Sequence, residues 1–386
     1  MSDEERPWSL PRRTEAITHY TLETTTPLPE LDPSIRYNAA APETSAWQHV
    51  ALFLSLASDI TDQLIEQDDP AFSNFLRNIR DHDIGLFSGA TTYVGRGLTF
   101  AVRRTTMNEH HPIVFKSTVP DNDYRGTDME AHRLSAILLE LRVLTHPPLR
   151  THPNIVTLLQ VGWEGDVFDE FLKWPALVVE YAELGTLEDF FDHEPTTSFS
   201  TRTTICQDVT NGLLALHQSQ VVHGDLKLLN VLMFAGDPQR PFIAKLSDFG
   251  GALPDIPKLT SLQLGTPPWN APEKDFQRPR EELLKSDVYS LGMLIWYVML
   301  NGKSPLHDRE LFQLPDPQIQ PKAWLDAVEA EKLDDRAFLQ KANWSMAKLG
   351  DVDCCILSKI FDVSLRVSSA VRDINMVARL LDCSER

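Results

Sequence analysis

Residues 223 to 230 read His-Gly-Asp-Leu-Lys-Leu-Leu-Asn and follow two valines. This short polar segment carries a carboxylate at Asp225, an ammonium group at Lys227 and an amide at Asn230. A carboxylate in that setting can orient and deprotonate a hydroxyl. The lysine can neutralise a moving phosphoryl group, and the amide oxygen can bind a divalent cation. The segment therefore predicts a phosphoryl-transfer site, with an ordinary surface turn as the alternative interpretation.

A second carboxylate follows at a suitable distance along the chain. Asp248-Phe249-Gly250 comes 18 residues after Asn230 and directly behind an apolar stretch. Magnesium is commonly held by one or two protein groups together with phosphate oxygens. We therefore expect Asp248 to complete a metal site with Asn230.

A glycine turn lies far upstream of these residues. Gly95-Arg96-Gly97 stands between two apolar segments, and Val102 follows on the second of them. Glycines allow backbone amides to approach phosphates closely, and a valine beyond them can cover a purine ring. Two glycines also form many simple hairpins, so the turn indicates nucleotide binding only in combination with other motifs.

Lys116 ends a hydrophobic segment 14 residues after Val102 and is the first lysine in the chain. A lysine at the end of a buried strand requires an anionic partner. Glu140, on the helix predicted next, can supply it, and the pair would hold the lysine against the α and β phosphates. Glu130 is the alternative partner, but it lies ahead of the leucine stripe of that helix.

The hydrophobic periodicity changes along the chain. It predicts strands at 92–94, 98–102, 113–116, 155–159 and 177–180, and a helix along the stripe of Leu134, Ile137, Leu138, Leu141 and Leu144. After Gly185 the pattern is mostly helical. The predicted fold class is α+β with two lobes: a small β-rich lobe with one main helix, and a larger, mostly helical lobe.

The first 83 residues read as an extension. Residues 1 to about 44 are rich in Thr, Pro and Glu without sustained periodicity, which predicts a mobile leader. Two amphipathic helices are predicted between residues 47 and 80. Their apolar stripes favour docking on the rest of the chain, with a partner protein or self-association as the alternative. The sequence thus divides into an extension at 1–83, a small lobe with its hinge at 84–182 and a large lobe at 183–386.

Composition excludes several classes of protein. The 386 residues carry a net charge of −19, with 24% charged and 42% hydrophobic side chains, which is ordinary for a globular protein. This acidity disfavours nucleic acid as a partner; it could favour basic peptides, although a solvated acidic surface is the commoner reason.

No apolar run approaches the ~20 residues of a membrane span. The N-terminus lacks a secretory signal, which favours the cytoplasm without excluding the nucleus. Four cysteines without metal-ligand spacing indicate free thiols.

In this order, the motifs resemble a eukaryotic protein kinase domain from about Ile84 to Leu381. The sequence Gly95-x-Gly97-x-x-Phe100-x-Val102 resembles the glycine-rich loop, Lys116 and Glu140 the lysine and its helix partner, and Val179-Glu180-Tyr181-Ala182 the gatekeeper and hinge. Residues 223–230 resemble the catalytic loop and 248–250 the magnesium motif. The end of the activation segment is matched by Gly265-Thr266-Pro267 and Ala271-Pro272-Glu273, and the helix that anchors the catalytic loop by residues 286–292, which include Asp287.

The resemblance implies a serine/threonine protein kinase that transfers the γ-phosphate of Mg-ATP to a protein hydroxyl, because Lys227 and Thr266 match that subgroup. It assigns catalytic roles to Asp225, Lys227, Lys116 and Glu140, and metal binding to Asn230 and Asp248. It also implies that Arg366 pairs with Glu273. The nucleotide contacts that it implies are Val94, Gly95, Gly97, Val102, Val114, Lys116, Val179, Glu180, Tyr181, Ala182 and Leu232.

Several positions depart from the family pattern. Gly224 stands where most members carry the arginine that receives the activation-segment phosphate, so we expect activity without phosphorylation of Thr260 or Ser261. Phe100 replaces the third glycine of the loop and Val114 a usual alanine, while Pro147-Pro148 suggests a lengthened loop. Two other functions remain open. One is a pseudokinase scaffold, and the other is a small-molecule kinase of the aminoglycoside or choline type, whose signature also has His-Gly-Asp-Leu and a later Asn.

Overall fold

The computed structural model describes residues 74, 76, 77, 92–96, 100–107, 111–117, 127–165, 173–253, 265–273, 280–348 and 354–383. The predicted leader, the first predicted N-terminal helix, most of the second, Gly97, Thr260 and Ser261 lie outside these residues. Within the described ranges, no helix is long and apolar enough to cross a membrane.

The small lobe is built on a five-stranded antiparallel sheet with the order β1-β2-β3-β5-β4. The strands are β1 (Thr92–Arg96), β2 (Ala101–Met107), β3 (His111–Ser117), β4 (Leu158–Gly165) and β5 (Lys173–Glu180). Successive side chains of a strand point to opposite faces. Val114 and Lys116 of β3 therefore share the face toward the second lobe, while Ile113 and Phe115 belong to a separate cluster on the outer face.

All five strands have bounds that differ from the predicted ones, and the differences at β2 and β4 have a clear physical reason. β4 begins at Leu158 and not at Ile155, because Ile155 forms an isolated parallel bridge with Leu246 of the large lobe. The apolar run at 155–159 therefore pairs with Leu246 at its start and with β5 at its end. Hydrophobic periodicity alone does not distinguish these two parts. β2 begins at Ala101 and continues to Met107 through polar residues, because it pairs with a neighbour on each side.

The main helix of the small lobe, α1 (Thr127–Thr145), follows the predicted leucine stripe. All five residues of that stripe are buried. The two prolines after it do not form a plain loop, as the sequence had suggested. They begin a short helix, α2 (Pro147–Arg150), because proline is well suited to the first turn of a helix, where its missing N–H is not needed.

The large lobe is mostly helical, as the sequence predicts. Its helices are α3 (Leu187–His193), α4 (Phe199–Gln218), α5 (Arg280–Met299), α6 (Pro321–Lys332), α7 (Asp335–Ala347), α8 (Cys354–Asp362) and α9 (Ile374–Cys383). A two-stranded hairpin of β6 (Val231–Ala235) and β7 (Phe242–Leu246) lies between α4 and α5. The last three turns of α5 are buried on all sides, so this helix lies at the centre of the lobe.

The outer face of the small sheet is covered at one point by the N-terminal extension. Leu76 is buried in a cluster with Ile113, Phe115, Leu159, Ala176 and Val178. Leu76 belongs to the apolar stripe of the second predicted N-terminal helix, and residues 74, 76 and 77 are helical. At this residue, the extension packs on the sheet.

Candidate active site

The polar loop at 223–230 is held from below by Asp287 of the buried helix α5. One carboxylate oxygen of Asp287 accepts the backbone N–H of His223 at 2.8 Å, and the other accepts that of Gly224 at 2.9 Å. His217 of α4 hydrogen bonds to the same carboxylate at 2.9 Å. Gly224 has a φ of +80°, in the left-handed region that favours glycine. A buried, fully bonded carboxylate thus fixes the backbone on which Asp225 stands.

Asp225 is the centre of a compact hydrogen-bond network. Its Oδ2 accepts a hydrogen bond from Nζ of Lys227 at 2.7 Å and from the amide of Asn230 at 3.2 Å. Its Oδ1 accepts both the N–H of Thr266, at 3.0 Å, and the hydroxyl of Thr266, at 2.7 Å. Lys227 also donates to that hydroxyl at 3.0 Å. The structure therefore brings Asp225, Lys227 and Asn230 together and adds Thr266, 41 residues downstream of Asp225.

Lys116 bonds to its predicted partner Glu140 and also to Asp248. Its Nζ donates to the two oxygens of Glu140 at 2.7 Å each and lies 3.4 Å from Oδ1 of Asp248. Burial lowers the pKa of Lys116, but the two carboxylates outweigh it and raise the pKa above the ordinary value. Burial also raises the pKa of Glu140, whereas the ammonium group of Lys116 holds the pKa of Asp248 below its usual range. Lys116 and Asp248 therefore both stay charged at neutral pH.

Asn230 and Asp248 present the oxygens that a divalent cation needs. The amide nitrogen of Asn230 donates to the carbonyl of Asp225 at 2.7 Å, which leaves Oδ1 as the available ligand atom. Asp248 has a left-handed backbone, with φ 64°, and its side chain is 45% exposed. The described residues contain no group of three or more His, Cys, Asp or Glu that could hold a metal alone. The donor set fits magnesium, which usually takes its remaining ligands from phosphate and water.

The residues expected to contact the nucleotide base differ in their surroundings. Val114, Val179 and Ala182 are buried, and Val102, Tyr181 and Leu232 are partly buried against the same core. Val94 is 53% exposed, and Gly95 pairs with Val102 across the β1–β2 ladder next to a register shift. Gly97 lies outside the described residues. Apolar side chains of the small lobe and Leu232 of the large lobe thus pack against one common core.

The hinge residue Glu180 has its side chain turned toward the large lobe. Its carboxylate accepts Nζ of Lys245 on β7 at 2.7 and 2.8 Å and the N–H of Thr157 at 2.7 Å. The N–H of Glu180 itself donates to the carbonyl of Thr157 at 3.1 Å. At the next residue, the guanidinium carbon of Arg104 lies 4.2 Å from the ring centre of Tyr181. These bonds tie the segment that joins the lobes to both of them.

One predicted pair is wrong. Glu273 binds Arg372, whose Nη1 donates to its Oε1 at 2.5 Å, and not Arg366. Arg366 instead binds Asp362, one turn earlier at the end of α8, at 2.7 Å and is about a third exposed. Arg366 is paired with a carboxylate close to it in the chain, and Arg372 is the partner of Glu273.

Two contacts around the site that the sequence did not indicate involve Lys332 and Phe100. Lys332 of α6 reaches Asn270, in the segment that follows Thr266, and the ring of Phe100 lies over Lys116. A lysine in a region predicted to be mostly helical gave no signal, because surface lysines are common on helices. Phe100 was visible only as a departure from a glycine pattern.

Comparison with known proteins identifies the family of the chain. Residues 91–337 match the protein kinase domain family, so the match covers more than half of the chain. The chain belongs to the protein kinase family, and its β-rich small lobe and helical large lobe are the fold of that family.

Serine/threonine-protein kinase PBL27 of Arabidopsis thaliana is 35% identical over 179 residues, which are 43% of this chain and 31% of that protein. Probable serine/threonine-protein kinase PBL25 of the same plant is 33% identical over 190 residues, 45% of each chain. Serine/threonine-protein kinase CLA4 of Saccharomyces cerevisiae is 35% identical over 163 residues, 40% of this chain and 18% of that protein. The matched part thus spans less than half the length of these relatives.

Proposed function

We propose that this protein is a serine/threonine protein kinase that transfers the γ-phosphate of Mg-ATP to protein hydroxyls. The observation that carries the proposal is the position of the Thr266 hydroxyl. It donates to Oδ1 of Asp225 and accepts from Lys227, which supports a site able to hold an aliphatic hydroxyl between a base and a cation. The serine/threonine relatives support the same acceptor class.

In the proposed mechanism, Asp225 orients the acceptor hydroxyl and takes its proton as the acceptor oxygen bonds to the γ-phosphorus and ADP leaves. Lys227 neutralises charge on the transferred group, and Lys116, fixed by Glu140, binds the α and β phosphates. Asn230 and Asp248 would hold the magnesium ion, which would neutralise negative charge on the phosphates. Catalysis of this type rests mainly on positioning and charge neutralisation.

The nucleotide base would lie between the two lobes. Val94, Gly95, Gly97, Val102 and Val114 would cover it from the small lobe. Leu232 would support it from the large lobe, and backbone groups at Val179, Glu180, Tyr181 and Ala182 would bind its polar edge. The N–H of Glu180 is already bonded to Thr157, so the remaining backbone groups of the hinge would take that role.

We also propose that activity does not depend on phosphorylation of the activation segment. Gly224 stands at the position of the arginine that receives such a phosphate in most family members, and its N–H is bonded to Asp287. A glycine has no side chain with which to bind phosphate, so that route of control lacks its receptor.

We propose that the chain divides at residues 83 and 182. The family match begins at residue 91, which supports the first of these boundaries. Leu76, buried against the small sheet, supports docking of the N-terminal extension on the kinase domain itself. A cytoplasmic location, with the nucleus as the alternative, is likewise a proposal.

One observation favours the pseudokinase alternative. The ring of Phe100 lies 4.6 Å from Nζ of Lys116, on the atom that would bind phosphate. A magnesium-dependent increase in melting temperature on addition of ATP would show that the nucleotide still enters. If the chain binds no nucleotide and transfers no phosphate, the scaffold function replaces the kinase function.

The experiment is phosphate transfer from labelled ATP to oriented peptide libraries with Ser, Thr or Tyr as the central residue. We expect the purified full chain to label Ser and Thr peptides and not Tyr peptides. Asp225→Asn should lower turnover by about 10² to 10⁴ because the base is lost, and the fold should stay intact because the side chain keeps its size. Full activity of that variant would show that Asp225 is not the base. Transfer to choline or an aminoglycoside in place of peptides would support a small-molecule kinase.

A further inference from the structure

Phe100 is a buried aromatic residue directly before β2. Its side chain is only 5% exposed, and Nζ of Lys116 lies 4.6 Å from the centre of its ring. A Cβ atom placed on Gly250 would lie 3.1 Å from Cε2 of Phe100 and 3.2 Å from the Cβ of Ala136. The edge of the ring therefore packs into the corner between Gly250 and α1.

The ring thus contacts three elements that must come together in the active site. It contacts β3 through Lys116, α1 near Ala136, and the turn Phe249–Gly251 through Gly250. The polar bonds from Lys116 to Glu140 and from Lys116 to Asp248 join the same three elements. An apolar contact therefore reinforces both ion pairs. It also helps to keep water from Lys116 and Glu140, whose side chains are 12% and 1% exposed, and a buried pair of this kind is strengthened when water is excluded.

We propose that Phe100 is a positioning residue that holds α1 and Asp248 against Lys116 without help from a phosphorylated activation segment. This inference rests on the proposed kinase function. The arginine that would read such a phosphate is replaced by Gly224, so another contact must stabilise the assembled arrangement. A glycine at position 100 would offer no side chain for that contact, whereas a buried aromatic ring provides packing and a cation–π interaction.

The test compares Phe100→Leu and Phe100→Gly with the matched control Phe115→Leu. Phe115 lies on the neighbouring strand β3 and is fully buried, but its side chain belongs to the outer cluster, away from Lys116. Hydrogen exchange of residues 127–145 and 248–251 is measured without nucleotide. The KM for ATP and kcat are measured with a peptide substrate.

We expect Phe100→Gly to lower kcat/KM for ATP by about tenfold, equivalent to about 1.4 kcal/mol, with exchange in α1 faster than in the wild type. Phe100→Leu should restore part of the effect, because it keeps apolar bulk and loses only the ring. Phe115→Leu should lower the melting temperature without a selective change in the KM for ATP.

The opposite result would overturn the inference. If Phe100→Gly binds ATP more tightly or turns over faster while exchange in α1 stays unchanged, the ring is an obstacle to the nucleotide and not a support. Failure of the kinase function is distinguishable. If the wild type transfers no phosphate, faster exchange in Phe100→Gly, together with unchanged exchange in Phe115→Leu, still supports the positioning role.

Discussion

Arg372 and Glu273 form a buried ion pair that joins the segment after Thr266 to the C-terminal part of the large lobe. The side chain of Arg372 is fully buried, and its Nη1 lies 2.5 Å from Oε1 of Glu273. The same guanidinium group donates to the carbonyls of Arg366, Lys285 and Val367 and lies 5.0 Å from the ring centre of Tyr289. Arg372 therefore connects the N-terminal part of α5 and the segment that follows α8 to the segment that carries Thr266 and Glu273.

Removal of this arginine should be costly. Arg372→Met removes the buried guanidinium group that binds Glu273 and three backbone carbonyls, so we expect a loss of about 3–5 kcal/mol in the free energy of unfolding. Arg366→Met is the matched control and should cost less than about 1 kcal/mol, since its pair with Asp362 is partly exposed. Urea denaturation of both variants measures the difference. Equal losses would show that the buried pair contributes no more than the surface pair.

Lys332 should fix the position of the segment at residues 265–273, which carries Thr266 and Asn270. Its buried Nζ donates to the carbonyl of Asn270 at 2.9 Å, to Oδ1 of Asn270 at 3.1 Å and to Glu329 at 2.8 Å. Burial lowers the pKa of Lys332, and Glu329 partly opposes that shift. Loss of these bonds in Lys332→Met should release the segment that begins at Thr266. The KM for peptide should rise by about tenfold, with the KM for ATP unchanged.

The control for this prediction is Lys341→Met. Lys341 of α7 pairs with Glu331 of α6 and lies against the ring of Phe312, and its side chain is partly exposed. Steady-state kinetics with peptide and ATP varied separately gives both constants. A parallel change in the two KM values for Lys332→Met would indicate general loosening of the lobe and would contradict the prediction.

His152 should make the protein less stable in mild acid. Burial lowers the pKa of His152 from 6.5 to about 4, and its Nδ1 accepts the N–H of Asn154 at 3.2 Å. The unfolded chain therefore binds a proton at this residue before the folded protein does. Its contribution to stability is complete above pH 6.5 and is lost as the pH falls toward 4.

At pH 5 this loss should amount to about 2 kcal/mol. His152→Asn keeps an acceptor for the Asn154 N–H but cannot take up the proton. The melting temperature of the wild type should therefore fall further than that of the variant between pH 7.5 and pH 5. If the two proteins lose equal stability over this range, the histidine is not responsible.

Loss of the candidate phosphorylation sites should leave turnover unchanged. The double variant Thr260→Ala/Ser261→Ala removes both hydroxyls that the sequence offers on the activation segment, and Gly224 offers no guanidinium group to bind a phosphate there. We expect kcat within about twofold of the wild type. Phosphatase-treated wild type serves as the control. A large loss of turnover in both samples would show that phosphorylation is required and that another group replaces the missing arginine.

Local chemistry made several contacts predictable. Lys116 ends a buried strand, so a carboxylate had to lie near it, and the stripe of α1 placed Glu140 on the correct face. The spacing from Asp225 to Asn230 is short enough that one loop must bring both side chains together. Mixed periodicity also indicated the two lobes, because strands and helices require different spacing of apolar residues.

The amino-acid sequence alone determined the order of the motifs, the types of groups that meet in the site and the two-lobed α+β fold. Only the tertiary structure decided which arginine binds Glu273, where the ring of Phe100 lies and that Lys332 reaches Asn270. Each of these depends on packing between residues far apart in the chain, and many distant partners of suitable charge or size compete for each position. Sequence spacing sets what lies on one element, whereas the packing of elements against each other selects among the remaining partners.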